Sequence, residues 1–214
     1  SITEGRGTYL GEGFVLPALE ALNATGGATK YEYMNFGWSG QIPSRYTRRA
    51  LNLLESDIKP DIIVIPAASP NPVTDGALTD AAVSLLRGQR ARMIAAARAN
   101  DTIPVVWTWL PTNTAVRNYG SSDSKRVAYN AEVVASASRN TLVADTDAAV
   151  AGSTSGGQVQ LASGTNADGI HPNDAGNALL TAVIKPKLVQ AARRAQGGRR
   201  RAHSSRADTP IHSI

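Results

Sequence analysis

The sequence has 214 residues, 42% hydrophobic and only 5% aromatic, enough for one domain with a sizeable core, and no apolar run is long enough to span a bilayer. It has no cysteine, which excludes disulfides, thiol nucleophiles and thiolate metal sites. The net charge of +5 resides in residues 191–214, with six arginines and one acid, while residues 1–190 balance 16 basic against 16 acidic residues, so nucleic acid is not expected as a partner of the folded body.

Along the chain, apolar residues at Phe14, Val15, Ala18, Leu19 and Leu22 recur at helical spacing and predict a short helix over 11–22, with Pro17 in its first turn. KYEYMNF (30–36) reads as a strand ended by GWSG, and 42–56 as a helix with Tyr46, Ala50, Leu51 and Leu54 on one face. On that helix Arg45, Arg48 and Arg49 read as a solvated face. PDIIVIPAA, from Pro60, is a continuous β-branched run, as expected of a strand buried on both faces. A helix over 79–99 follows, then the buried strand IPVVWTWLP, a helix in SSDSKRVAYNAEVVASASRN, the strand TLVADTD and a last helix over 174–194 that Pro186 should bend or break.

Strands alternating with helices at this spacing imply parallel pairing through right-handed crossovers, hence a three-layer α/β/α sandwich with a mostly parallel, flavodoxin-like sheet. In such sheets function gathers at the loops leaving the carboxyl ends of the strands. Here those loops are 37–41, 67–75, the one after Trp109 and the one at 168–171, with SITEGRG at residues 1–7 reading as a fifth. Trp107 and Trp109 alternate, so both should face one layer, as core packing more readily than as a sugar platform, and Asp145 and Asp147 read as turn caps more readily than as functional groups. The segment 196–214 has no apolar period and reads as a disordered basic tail, either an interaction arm or an extension without function, beyond a single domain over 1–195.

The most informative stretch is ADGIHPNDAGNALL, 167–180. Asp168 lies three residues before His171 in a turn that leads into a helix, with Pro172 placed to start it and Asn173 or Asp174 able to cap it. A carboxylate at that spacing can accept the imidazole Nδ1 proton and leave Nε2 to act as a base. A lone DxxH pair is more often a turn former next to a helix start. Yet the other two histidines, His203 and His212, fall in the tail, so His171 is the only imidazole of the body. No spacing suited to a metal centre occurs, and neither a metal nor a cofactor is expected.

DGIHPN before a helix resembles the last sequence block of the SGNH/GDSL hydrolase superfamily, and the resemblance extends over most of residues 1–190. It implies an α/β esterase in which Asp168 and His171 complete a triad with a serine. SITEGRG is similar to the family's Gly-Asp-Ser block from its serine onward, which assigns Ser1 as nucleophile and places the Gly-Asp and its strand ahead of residue 1. A serine at a true chain start would instead carry a free amine able to act as base for its own hydroxyl, which leaves the Asp168–His171 pair without a role. MNFGWSGQ resembles the second block, implying an oxyanion-hole N–H from Gly40, or else Gly37, with Trp38 beside the pocket. The third block, Gly-x-Asn-Asp in the family, corresponds to IPAASPNPVTDG, where the glycine is absent and Pro70 intrudes; Asn71 is then the side-chain donor, alongside the N–H groups of Ser1 and Gly40.

The resemblance implies a serine esterase for small acyl esters, carbohydrate O-acetyl groups among them, acting through an acyl-enzyme. The alternatives are a catalytically impaired binding domain of the same fold, suggested by the altered third block, and a nucleic-acid-associated protein recruited by the arginine tail, which the neutral body disfavours. A secreted or extracellular setting is expected, with the cytoplasm as the alternative.

Overall fold

The computed structural model describes residues 13–25, 30–35, 42–68 and 77–207. Among them helices α1 (Val15–Asn23), α2 (Pro43–Leu54), α3 (Asp80–Ala99), α4 (Asp123–Ala135), α5 (Thr146–Val150) and α6 (Asp174–Ala207) alternate with strands β1 (Ile62–Pro66), β2 (Ile103–Trp107) and β3 (Leu142–Ala144). The three strands form a parallel sheet in the order β1-β2-β3, with Ile62 opposite Ile103 and Val105 opposite Leu142. The hairpin β4 (Ala151–Ser155) and β5 (Gln158–Leu161) stands apart as an antiparallel pair.

Side-chain alternation along the strands divides the core in two. Val105, Trp107, Leu142 and Ala144 pack with Phe14, Val15, Ala18 and Leu22 around α1 and with Leu180, Ile184, Leu188, Ala191 and Ala192 of α6. Ile63, Ile65, Val106 and Val143 point the other way, against Leu54 of α2, Val83, Leu86, Met93 and Ala97 of α3, and Tyr129 and Val133 of α4. These are the two outer layers of the expected α/β/α sandwich. Each buried Leu, Ile or Val contributes about 1.5–3 kcal/mol relative to its exposed state, so two filled faces hold the sheet rigidly between the helices. At the head of α3 the Thr79 side chain accepts from the Ala82 N–H at 3.1 Å, satisfying one of the helix's unpaired amides.

Four details depart from the sequence reading. Residues 30–35 carry no strand among the described residues; instead the Asn23 side chain both donates to the Tyr31 carbonyl and accepts from its N–H, each at 2.9 Å, and this side-chain clasp replaces a ladder. Trp107 and Trp109 lie in opposite cores, because β2 ends at Trp107 and the alternation does not continue past it. Trp107 packs edge-on to Phe14 at 5.6 Å, whereas Trp109 meets Tyr119 and Tyr129 at 6.1 and 6.5 Å. Pro186 does not break α6: the helix continues through it, and both Pro186 and Ala182, the residue whose carbonyl loses its helical donor, are exposed residues. The same helix reaches Ala207, into the arginine-rich segment.

The hairpin β4–β5 was not anticipated. All of β4 is exposed and therefore lacks an apolar alternation, but the Gly156-Gly157 pair, with φ of 57° and 80°, supplies the positive-φ turn that joins two strands with the right twist.

Candidate active site

Because β1, β2 and β3 are parallel, the segments leaving their carboxyl ends emerge along one edge of the sheet. The end of β2 is tied to that of β3: the Thr108 N–H donates to the Ala144 carbonyl at 3.2 Å, the Thr108 hydroxyl donates to Asp145 at 3.1 Å, and the Thr146 hydroxyl donates to the Thr108 carbonyl at 2.9 Å. Asp145 also caps α5 by accepting from the Ala148 N–H, which bears out its reading as a capping residue. Asp147 does something different: it pairs with the buried guanidinium of Arg126.

The turn 165–173 sits at this edge and closes on itself. The Ala167 N–H donates to the His171 carbonyl at 2.8 Å, the Asn173 N–H to the Thr165 carbonyl at 3.1 Å, and the Gly169 N–H to the Asn166 side chain at 2.9 Å. Asn173 is the residue that caps α6: its side-chain oxygen accepts from the Gly176 N–H at 3.0 Å while its amide donates to the Gly164 carbonyl at 2.9 Å. Asn177 reaches back from the first turn of the helix to the Pro172 carbonyl at 2.9 Å. The turn is thus anchored to a helix that is itself sunk in the core.

Two of the sequence-predicted site residues meet on this turn. The His171 Nδ1 lies 2.7 Å from Asp168 Oδ2, and the other carboxylate oxygen of Asp168 accepts the main-chain N–H of His171 at 2.9 Å and of Ile170 at 3.1 Å. The His171 residue is 7% exposed, whereas the Asp168 side chain keeps 49% of its surface in water. The carboxylate therefore both holds the ring through Nδ1 and fixes the backbone on which the ring stands, which leaves Nε2 as the ring nitrogen not engaged by Asp168.

Partial burial pushes the Asp168 carboxyl upward, but the His171 N–H, the imidazole and the Ile170 N–H together outweigh it and hold the group below its ordinary value. With a folded-state pKa below the unfolded one, the hold of the carboxylate on the turn is complete above the unfolded value and is lost as pH falls through the folded one. The melting-temperature advantage of the wild type over Asp168→Asn is accordingly expected to be constant at neutral pH and to shrink only in the acid range beneath the usual carboxylate value. Thermal melts of both proteins across that range check it.

Ser1, Gly37, Trp38, Gly40 and Asn71 lie outside the described residues. Trp107 and Trp109 are buried in the core, which does not leave either ring as a platform for a sugar. Among the described residues no three His, Asp or Glu side chains converge on a point that would suit a metal ion. Residues that support the turn and that the sequence reading passed over are Asn113 and Gly169: the Asn113 N–H donates to the Gly169 carbonyl at 2.8 Å. An asparagine following Pro-Thr just past a buried strand was the available signal.

No curated protein matches the chain. Among the solved structures similar to it in fold are a GDSL-like lipase from Bacteroides thetaiotaomicron, 23% identical with a TM-score of 0.62 over 82% of this chain and 80% of that one, and a putative acylhydrolase from Bacteroides fragilis, 22% identical with a TM-score of 0.55 over 70% and 72%. Residues 1–179 match the model of the GDSL-like lipase/acylhydrolase family, so the chain belongs to that family and is an ester-hydrolysing enzyme.

Proposed function

We propose that the protein is a serine esterase that cleaves small acyl esters, carbohydrate O-acetyl groups among them, through an acyl-enzyme. The observation that carries this reading is the Asp168–His171 pair at 2.7 Å on a turn anchored to α6. In the mechanism the Ser1 hydroxyl attacks the ester carbonyl as His171 Nε2 takes its proton, and the tetrahedral oxyanion is held by the N–H groups of Ser1 and Gly40 and the side chain of Asn71. The imidazolium, stabilised by Asp168, returns the proton to the alcohol as the C–O bond breaks. Water then attacks the acyl-serine by the same route, giving the carboxylic acid and free Ser1.

Asp168 is suited to this because its pKa is held down, so it stays a carboxylate while the ring cycles between charge states. A preference for small acyl groups on exposed alcohols is the substrate class we assign. Among the described residues no helix is long and apolar enough to cross a membrane.

The test is a series of p-nitrophenyl esters of increasing acyl length, together with an O-acetylated xylo-oligosaccharide. We expect kcat/KM to be highest for acetate and to fall with chain length, acetate to be released from the oligosaccharide, and Ser1→Ala to abolish both. Fastest turnover of long acyl chains would overturn the substrate class, and full activity in Ser1→Ala would overturn the mechanism.

A further inference from the structure

The hairpin β4–β5 and the segment that follows β2 are joined by a dense polar seam outside the candidate site. At its root, the Trp109 N–H donates to the Asn130 side chain at 2.9 Å, and the Trp109 carbonyl accepts from Asn130 at 2.8 Å and from Arg126 at 3.0 Å. Arg126, with no exposed surface, also forms a two-pronged pair with the buried Asp123 at 2.6 and 3.1 Å, and Asp123 in turn accepts from the Val159 N–H of β5 at 3.0 Å. Buried charges this fully bonded resist displacement, since losing any one partner strands another.

The seam continues along β5. The buried Gln158 side chain accepts from the Tyr119 N–H at 2.7 Å and donates to the Thr112 and Arg117 carbonyls at 2.5 and 2.8 Å. Gln160 accepts from the Thr114 N–H at 2.8 Å, and Asn113 closes the seam by accepting from the Leu161 N–H at 3.0 Å. In this way the side-chain oxygen of Asn113 bonds to the hairpin while its main-chain N–H, 2.8 Å from the Gly169 carbonyl, bonds to the turn.

Gly169 lies between Asp168 and His171 with φ of 81°, a conformation other residues adopt with strain. A Cβ there would stand 2.8 Å from Val116 Cγ2 and 3.1 Å from Asn113 Cβ, so segment 113–116 lies directly against the turn. We propose that Asn113 is a positioning residue: by locking the segment after β2 onto β5 it sets the Gly169 carbonyl, and through it the orientation of the Asp168–His171 pair. The role rests on the hydrolytic reading above, because it concerns the same pair. It acts through the turn and not on substrate.

The test compares Asn113→Leu, which keeps the bulk but cannot accept from Leu161, with Asn113→Asp, which keeps the acceptor. Both are read by kcat and KM at the alkaline plateau and by NMR titration of the His171 ring, assigned by its loss in His171→Gln. We expect Asn113→Leu to lower kcat about ten-fold, in line with the cost of slightly misplaced catalytic groups, with KM little changed and the His171 titration shifted or its signals doubled. Asn113→Asp should restore kcat to within about three-fold and return the single ring signal. Gln160→Leu, which breaks the neighbouring link of the seam, should move the same readouts in the same direction, and it serves if Asn113→Leu does not fold.

Unchanged kcat and an unchanged His171 titration in the leucine variants would overturn the positioning role while leaving the hydrolytic mechanism in place. A wild-type chain that turns over no ester, but whose His171 titration responds to Asn113 as described, would overturn the mechanism and leave the positioning role standing.

Discussion

Replacing His171 with glutamine is expected to lower kcat for acetyl-ester hydrolysis by about 10⁴-fold or more while the protein stays folded. Glutamine can occupy the buried volume, but its amide neither takes nor returns a proton. The remaining two histidines are at positions 203 and 212, in the arginine-rich segment. In the wild type Nδ1 is committed to Asp168 at 2.7 Å, so the proton traffic of the proposed mechanism belongs to Nε2. Initial rates with p-nitrophenyl acetate, alongside a circular dichroism spectrum, check this; a loss of ten-fold or less in a folded variant would place the base elsewhere.

Changing Gly176 to alanine is expected to destabilise the protein by about 3 kcal/mol and to remove most of its activity. The added Cβ would stand 2.0 Å from the Thr165 carbonyl oxygen and 2.9 Å from the Pro172 Cβ, distances at which the backbone itself must move. Thr165 cannot yield freely, since its carbonyl accepts the Asn173 N–H at 3.1 Å and so closes the loop on which Asp168 and His171 stand. The same substitution at Gly88, in the exposed middle of α3, meets nothing within 4 Å. There alanine should stabilise by up to about 1 kcal/mol, the difference in helix propensity. Denaturant unfolding of the two variants should therefore give changes of opposite sign, and equal changes would contradict the packing described for the turn.

The buried strands and the helices between them were legible because they combine continuous β-branched runs with three- and four-residue apolar periods, patterns that burial on both faces of a parallel sheet imposes. The Asp168–His171 pair was legible for a different reason: its two members are three residues apart, so local chain geometry brings them together without help from the rest of the fold. Longer-range features were not legible. That Asn113 would meet Gly169 depends on how the segment after β2 is folded back by β5, some 48 residues later. The hairpin was hidden because a strand exposed along its whole length carries no hydrophobic signal, and Trp109 was misassigned because alternation tells which way a side chain points only while the strand lasts. Pro186 was expected to bend or break α6, and that it does not break it goes with a position the sequence does not reveal, since both Pro186 and Ala182 are exposed residues.

The nucleophile is the centre of the account, and labelling with a fluorophosphonate followed by intact-mass analysis and peptide mapping tests it most directly. The account predicts one adduct per chain, located on Ser1, formed by the wild type and lost in His171→Gln. An adduct on a different serine, or none on a chain shown to be folded, would contradict it.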